Sequence, residues 1–135
     1  MNLYTHLNFG GNCEEAFRFY AEHLGGKITM MMRQQEMPGG PQRDVNAIVH
    51  ARLNLADTVL IGNDVPAAHF AKMRSVYLYL SLDSAEEVER VYTLLAEDGE
   101  VYMPLEKTFF ASRFGMLRDR FGVSWTLLHE QPRRG

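Results

Sequence analysis

The sequence predicts an α+β fold: two βαβββ modules forming a strongly curved eight-stranded mixed sheet, with helices on its outer face and a central cleft. Two observations predict it. The phrase NCEEAFRFY at residues 12–20 returns as SAEEVERVY at 84–92. Each copy is preceded by one strand-like stretch and followed by three. A single βαβββ unit leaves one face of its sheet bare, which is where function is expected, opposite the helix.

The first strand is read over residues 3–9, LYTHLNF, with Leu7 and Phe9 as its apolar pair. Asn12 and Glu15 then form a capping-box pattern, followed by helical spacing of Ala16, Phe19, Tyr20 and Leu24. Gly25–Gly26 stops that helix. Strands follow at 27–33, 46–55 and 58–64, with residues 56–58 read as a tight hairpin turn. The second module repeats the order. A strand at 76–82 leads to a Ser84/Glu87 capping box and to Val88, Val91, Tyr92 and Leu95, and Gly99 ends the helix. Strands at 100–105, 112–118 and 123–128 complete it, with DRFG at 119–122 as the last turn. The Pro- and Gly-containing stretch 34–45 reads as a mobile loop. The whole of 1–135 is read as one domain, with module one about 1–66, a linker about 67–74 and module two about 75–131.

Composition excludes several function classes. With 46% hydrophobic and 23% charged residues, the chain sits in the globular range. Net charge is −3 and the only basic run is the Arg133–Arg134 tail, so nucleic acid has little electrostatic hold. Cys13 stands alone, which leaves no disulfide framework and no cysteine-based zinc site. Its place in the first turn of a helix is one where a thiol pKa can be lowered. The start MNLYTHLNF has no basic segment before an apolar one, and no apolar run approaches membrane-spanning length. A cytoplasmic protein with no membrane partner is expected. P-loop, GxSxG, dinucleotide and zincin signatures are absent, and so is a glycine-rich methyl-donor site.

Three stretches carry a family likeness: LNFGGNCEEAFRFYAEHLGGKI at 7–28, IVHARLNLADTVLIGND at 48–64 and VYMPLEKTFFASRFGMLRDRFGVSW at 101–125. In this order they resemble the vicinal oxygen chelate superfamily, which includes glyoxalase I, bleomycin-resistance proteins and extradiol dioxygenases. The nearest likeness is to its PhnB-like branch. The resemblance implies a small-molecule ligand, a homodimer and, in some members, a divalent metal ion. That ion is held by His, Glu or Gln on the first and last strand of each module.

Strand alternation selects the cleft-facing residues. His6 and Asn8, with Tyr4 in line, face inward from the first strand, and His50 and Arg52 from the third. Tyr77 and Tyr79 do so from the fifth, and Ser124 and Thr126 from the last. Phe110, with Thr108 and Phe109, lies in a loop suited to a lid. Arg113 gathers with Arg118 and Arg120 near the last hairpin, where a carboxylate or phosphonate would be met by bidentate contact. His6 is the metal-ligand candidate, but the other implied places fall on Tyr77 or Tyr79, Ile61–Gly62 and Thr126. The leading expectation is therefore a small-molecule-binding protein with a degraded metal-ligand set and no assigned catalytic residue. Two alternatives stay open: a metal-dependent lyase or dioxygenase using a shifted ligand set, and a drug-sequestering resistance protein.

Overall fold

The computed structural model describes residues 1–36 and 46–130, with the backbone alone at residue 36. The mobile-loop expectation for 37–45 and the Arg133–Arg134 tail lie outside these residues. Two compact units are present, Met1–Ala71 and Lys72–Gly135.

In the first unit β1 (Thr5–Phe9), α1 (Cys13–Leu24), β2 (Lys27–Arg33), β3 (Ile48–Leu55) and β4 (Thr58–Asp64) follow in the expected order. The sheet runs β1-β4-β3-β2, with β1 parallel to β4 and the other neighbours antiparallel. Short 3-10 turns occupy Gln34–Glu36 and, in the stretch read as a linker, Ala67–His69. The second unit repeats the plan with β5 (Leu78–Ser81), α2 (Ala85–Ala96), β6 (Glu100–Glu106), β7 (Ala111–Arg118) and β8 (Ser124–Glu130). Its sheet order is β5-β8-β7-β6, again with one parallel pair, β5 with β8. The eight strands thus form two four-stranded mixed sheets, and among the described residues no ladder joins them.

Each helix covers one face of its own sheet because its apolar side chains recur on one stripe. In α1 the fully buried residues are Cys13, Ala16, Phe17 and Tyr20. Tyr20 is inward as expected, but the second inward aromatic is Phe17 and not Phe19, and the Phe17 ring meets Phe9 of β1 edge-on at 6.0 Å. Burying such a side chain stabilises by roughly 1.5–3 kcal/mol. In α2 the stripe is Val88, Val91 and Leu95. Gly62 and Gly115 lie under the helices: a Cβ on Gly62 would sit 2.6 Å from Phe17, and one on Gly115 2.8 Å from Tyr92.

The repeated capping phrase does not cap twice. Ser84 is extended (φ −152°, ψ 161°), and its hydroxyl accepts from the Glu87 amide at 3.1 Å. Asn12 has φ −117° and ψ 23°, and its side chain makes no cap bond. Its place is taken by Asp64 at the end of β4, whose carboxylate accepts from the Gly11 and Cys13 amides at 3.1 and 3.0 Å. The same carboxylate also accepts from the Ile48 amide at 2.9 Å. At the other end, Gly25 closes α1 in the left-handed region at φ 77°, as expected. Gly99 does not close α2 that way. The left-handed residue there is Asp98 (φ 59°), and Gly99 is required because a Cβ would lie 2.2 Å from the Arg118 carbonyl oxygen.

The hairpins differ too. Leu55 pairs with Thr58, leaving a two-residue turn with Ala56 at φ 52°. Arg118 pairs with Ser124, so the last connection runs from 119 to 123, one residue beyond the expected turn. Asp119 organises it from a buried position. Its carboxylate accepts from the Phe121 and Val123 amides at 3.0 Å each and from the Trp125 indole at 2.9 Å. A buried carboxylate persists only when its lone pairs are filled in this way.

Candidate functional site

In the first unit, β1, β4, β3 and β2 turn a largely polar surface away from α1. The register sets His6 beside Ile61, Ile61 beside Arg52, and Arg52 beside Met30. One step along, Asn8 stands beside Asn63, and His50 beside Met32. Alternation therefore puts His6, Asn8, Asn63, His50 and Arg52 on one face, while Leu7, Phe9 and Leu60 are buried on the other. His6 Nε2–H donates to Asn63 Oδ1 in a short contact. The Arg52 guanidinium lies over the Tyr4 ring, 5.3 Å from its centroid. His6 and Asn8 are exposed, and His50 and Arg52 are half-buried. This is a concentrated set of donors and acceptors, with a guanidinium steadied by an aromatic face.

In the second unit, Tyr79 pairs with Thr126, Thr126 with Met116, and Ser124 with Arg118, all turned away from α2. Tyr79 is 60% exposed, whereas Thr126 and Ser124 are buried. Tyr77 meets the Tyr102 ring at 5.9 Å, and the Arg74 guanidinium lies 4.2 Å from the Tyr102 centroid. The Tyr102 hydroxyl and Ser124 Oγ are buried without a hydrogen-bond partner. Such groups cost about 1–3 kcal/mol each while unpaired. Phe110 packs edge-on against Phe114 at 5.3 Å, and Phe109 beside it is 95% exposed.

Arg113 is not with this group. It stands opposite His129, at the far end of β7 from the hairpin, beyond an irregularity in the β7–β8 ladder between Ala111 and Arg113. It lies on the helix side, where its Nε donates to Glu89 of α2 at 3.0 Å. The expected arginine cluster is likewise dispersed: Arg118 pairs with Glu100 at 3.4 Å and Arg120 lies over the Phe121 ring at 4.7 Å. Cys13 also departs from expectation. Burial, reinforced by the negative charges of Asp64 and Glu14, pushes its thiol up to about 12, so desolvation outweighs the helix end.

The residues at the implied metal positions do not fit a divalent ion. Ile61 is a hydrocarbon, Gly62 is turned beneath α1, and Thr126, Tyr77 and Tyr79 offer only neutral hydroxyls. His6 already engages Asn63. Among the described residues no three His, Cys, Asp or Glu side chains gather as a ligand cluster.

Several participants were missed from sequence. Asn63 was legible in principle, because parallel pairing of β1 with β4 sets every second β4 residue beside His6 and Asn8. Tyr102 sits where the β6–β7 register shifts, between Val101 and Met103, so simple alternation could not place it. Arg74 precedes β5 and carried no periodic signal.

Residues 1–128 match the profile of the family described as 3-demethylubiquinone-9 3-methyltransferase. The crystal structure of protein PA1353 from Pseudomonas aeruginosa is 39% identical, with a TM-score of 0.90 over 98% of this chain and 99% of that one. Protein YjdN of Escherichia coli (strain K12) is 30% identical over 145 residues, 98% of this chain and 99% of YjdN. A PhnB protein from Bacillus cereus is 29% identical, with a TM-score of 0.84 over 96% of this chain and 99% of its own. More distantly, a glyoxylase/bleomycin resistance protein/dioxygenase domain from Frankia shares the fold at 14% identity and a TM-score of 0.66. Among the described residues no helix is long and apolar enough to cross a membrane. The chain belongs to the family described as 3-demethylubiquinone-9 3-methyltransferase, in the PhnB-like branch of the vicinal oxygen chelate fold.

Proposed function

We propose that this chain binds a small organic molecule on the face of the first sheet opposite α1. It holds that molecule through hydrogen bonds and a guanidinium, with no glyoxalase I-type metal centre, and works as a homodimer. The observation that carries the reading is the convergence of His6, Asn8, Asn63, His50 and Arg52 on one face of three adjacent strands, β1, β4 and β3. Imidazole and carboxamide groups both donate and accept, and Arg52 adds a fixed positive charge. That combination suits a polar, oxygen-rich or anionic ligand. The side chains at the family's metal places support the metal-free part of the reading, and the resemblance supports the dimer.

Calorimetric titration with Ni, Zn, Mn and Fe, together with a thermal-shift panel of hemithioacetals, catechols and aromatic drugs, tests this. The expected result is a melting-temperature rise with an oxygen-rich compound that His6→Ala and Arg52→Gln remove, and no tight metal binding. Tight one-per-chain metal binding abolished by His6→Ala, with metal-stimulated turnover, would replace this reading by the lyase or dioxygenase one. Turnover with a methyl donor would replace it by the transfer named in the family's description.

A further inference from the structure

We infer that the second unit carries an oxyanion site of its own, at the hairpin end of its sheet, which takes the carboxylate or phosphate group of a small molecule. It goes beyond the reading for the first sheet and uses none of its residues.

The start of the argument is a pair of hydroxyls with nothing to bond. Ser124, at the first position of β8, is 1% exposed and its Oγ has no partner. The Tyr102 hydroxyl is in the same condition. Each has a proton to donate, and proteins rarely leave such groups idle outside functional sites. The groups around them are cationic and hydroxylic. Tyr77 lies one residue before the Leu78–Trp125 pair, which puts it alongside Ser124, and its ring meets Tyr102 at 5.9 Å. Arg74 crosses both rings, 4.2 Å from the Tyr102 centroid and 6.0 Å from that of Tyr77, and donates to the Tyr77 hydroxyl at 2.8 Å. Opposite Ser124 in the ladder is Arg118, whose partner is Glu100 at 3.4 Å.

The charges decide the ligand class. Among the described residues Arg118 pairs with Glu100 at 3.4 Å and no carboxylate forms an ion pair with Arg74, whose positive charge is left in excess. A cation would be repelled by Arg74. A neutral ligand would satisfy the hydroxyls but leave the guanidinium's charge unused. An oxyanion accepts from hydroxyl and guanidinium donors together, in bonds strengthened by charge. Arg74 itself is exposed, so its free N–H groups are open to an incoming ligand.

The test titrates the full chain with benzoate, inorganic phosphate and the neutral benzamide, read by calorimetry and amide chemical shifts. One of the anions is expected to bind once per chain, shifting the amides of Ser124 and Tyr102, while benzamide does not. A stronger response to benzoate assigns a carboxylate, and to phosphate a phosphate group. Arg74→Gln, at an exposed position, should weaken binding about tenfold or more. Tyr102→Phe and Ser124→Ala should each weaken it several-fold, with the ligand-free melting temperature unchanged or raised, because an unpaired buried hydroxyl has been removed. Failure of both anions to bind would overturn the proposal, as would unchanged affinity in Arg74→Gln. A lowered melting temperature in Ser124→Ala would show that hydroxyl to be structurally engaged, and would also overturn it. Anion binding lost in His6→Ala but kept in Arg74→Gln would assign the anion to the first sheet instead. Anion binding retained in His6→Ala and weakened in Arg74→Gln is the result expected of this site, and it stands whether or not the first sheet binds a ligand.

Discussion

The Asp64 carboxylate accepts a hydrogen bond from the Cys13 amide at 3.0 Å, joining the end of the last strand of the first unit to the start of its helix. With its bonds from Gly11 and Ile48, it satisfies three backbone donors. Ser84 does a smaller version of this task for α2 with its own hydroxyl. The two units therefore solve the same problem, the free amides of a helix start, with residues from different places in the chain.

Asp64→Ala is accordingly expected to destabilise the protein by about 2–4 kcal/mol, since three donors lose their acceptor. Asn12→Ala should cost less than about 0.5 kcal/mol. Urea denaturation of both variants checks the ranking, and a larger effect at Asn12 would refute the assignment of the cap.

Cys13 gives a prediction in alkali. Its thiol is pushed up to about 12 by burial, with Asp64 and Glu14 adding to the effect, against an ordinary value near 9. The folded protein thus holds this proton more tightly than the unfolded chain. Stability from this source is intact below pH 9 and falls as pH rises from there toward 12. Cys13→Ala should flatten that alkaline slope in denaturation curves. In the native protein the thiol should react with a chromogenic disulfide reagent only as fast as the structure opens, and rapid labelling at pH 8 would contradict its placement.

Glu14 gives the complementary acid prediction. Its hydrogen bond from Arg18, and next to that the neighbouring Arg33 and Arg18 charges, hold its carboxyl below the ordinary value of 4.5. Its contribution is present above pH 4.5 and is lost as pH falls through the lowered folded value. Glu14→Gln should lower the urea midpoint slightly at pH 7, where the contribution is present, and flatten its fall as pH drops below 4.5. An unchanged acid limb would show the pair to be energetically silent.

Gly99→Ala tests close approach rather than backbone freedom. A Cβ there would lie 2.2 Å from a carbonyl oxygen, so the β6–β7 ladder must shift, at a cost of about 1–3 kcal/mol. The loss should appear as a lowered urea midpoint, and a variant as stable as the parent would count against the packing of α2's exit on β7.

Much of the architecture could be read from residue patterns because it depends on period and caps. The alternation of Leu7 and Phe9 with His6 and Asn8 fixed the faces of β1 correctly, and Ser84–Glu87 behaved as a capping box. What failed depended on tertiary context. Asn12 reads like Ser84 in sequence, but its backbone is not extended, and a distant carboxylate was better placed. Phe17 displaced Phe19 because Gly62 opens a space beneath it that no local pattern announces. Arg113 was misplaced because it lies by a ladder irregularity at the strand end distant from the hairpin, within reach of Glu89. Residues on regular strands were legible, and those at register shifts or before an edge strand, such as Tyr102 and Arg74, were not.

The parallel pairing of β1 with β4 has a consequence during synthesis. Phe9 stands beside Asp64 in the register, so β1 waits for the last strand of its unit to be made before it has a neighbour. Until Asp64 emerges, the nascent α1 has lost neither its free amides nor its solvent-facing phenylalanine. A ribosome paused just short of that codon would hold a first unit with most of its secondary structure specified and its sheet unclosed.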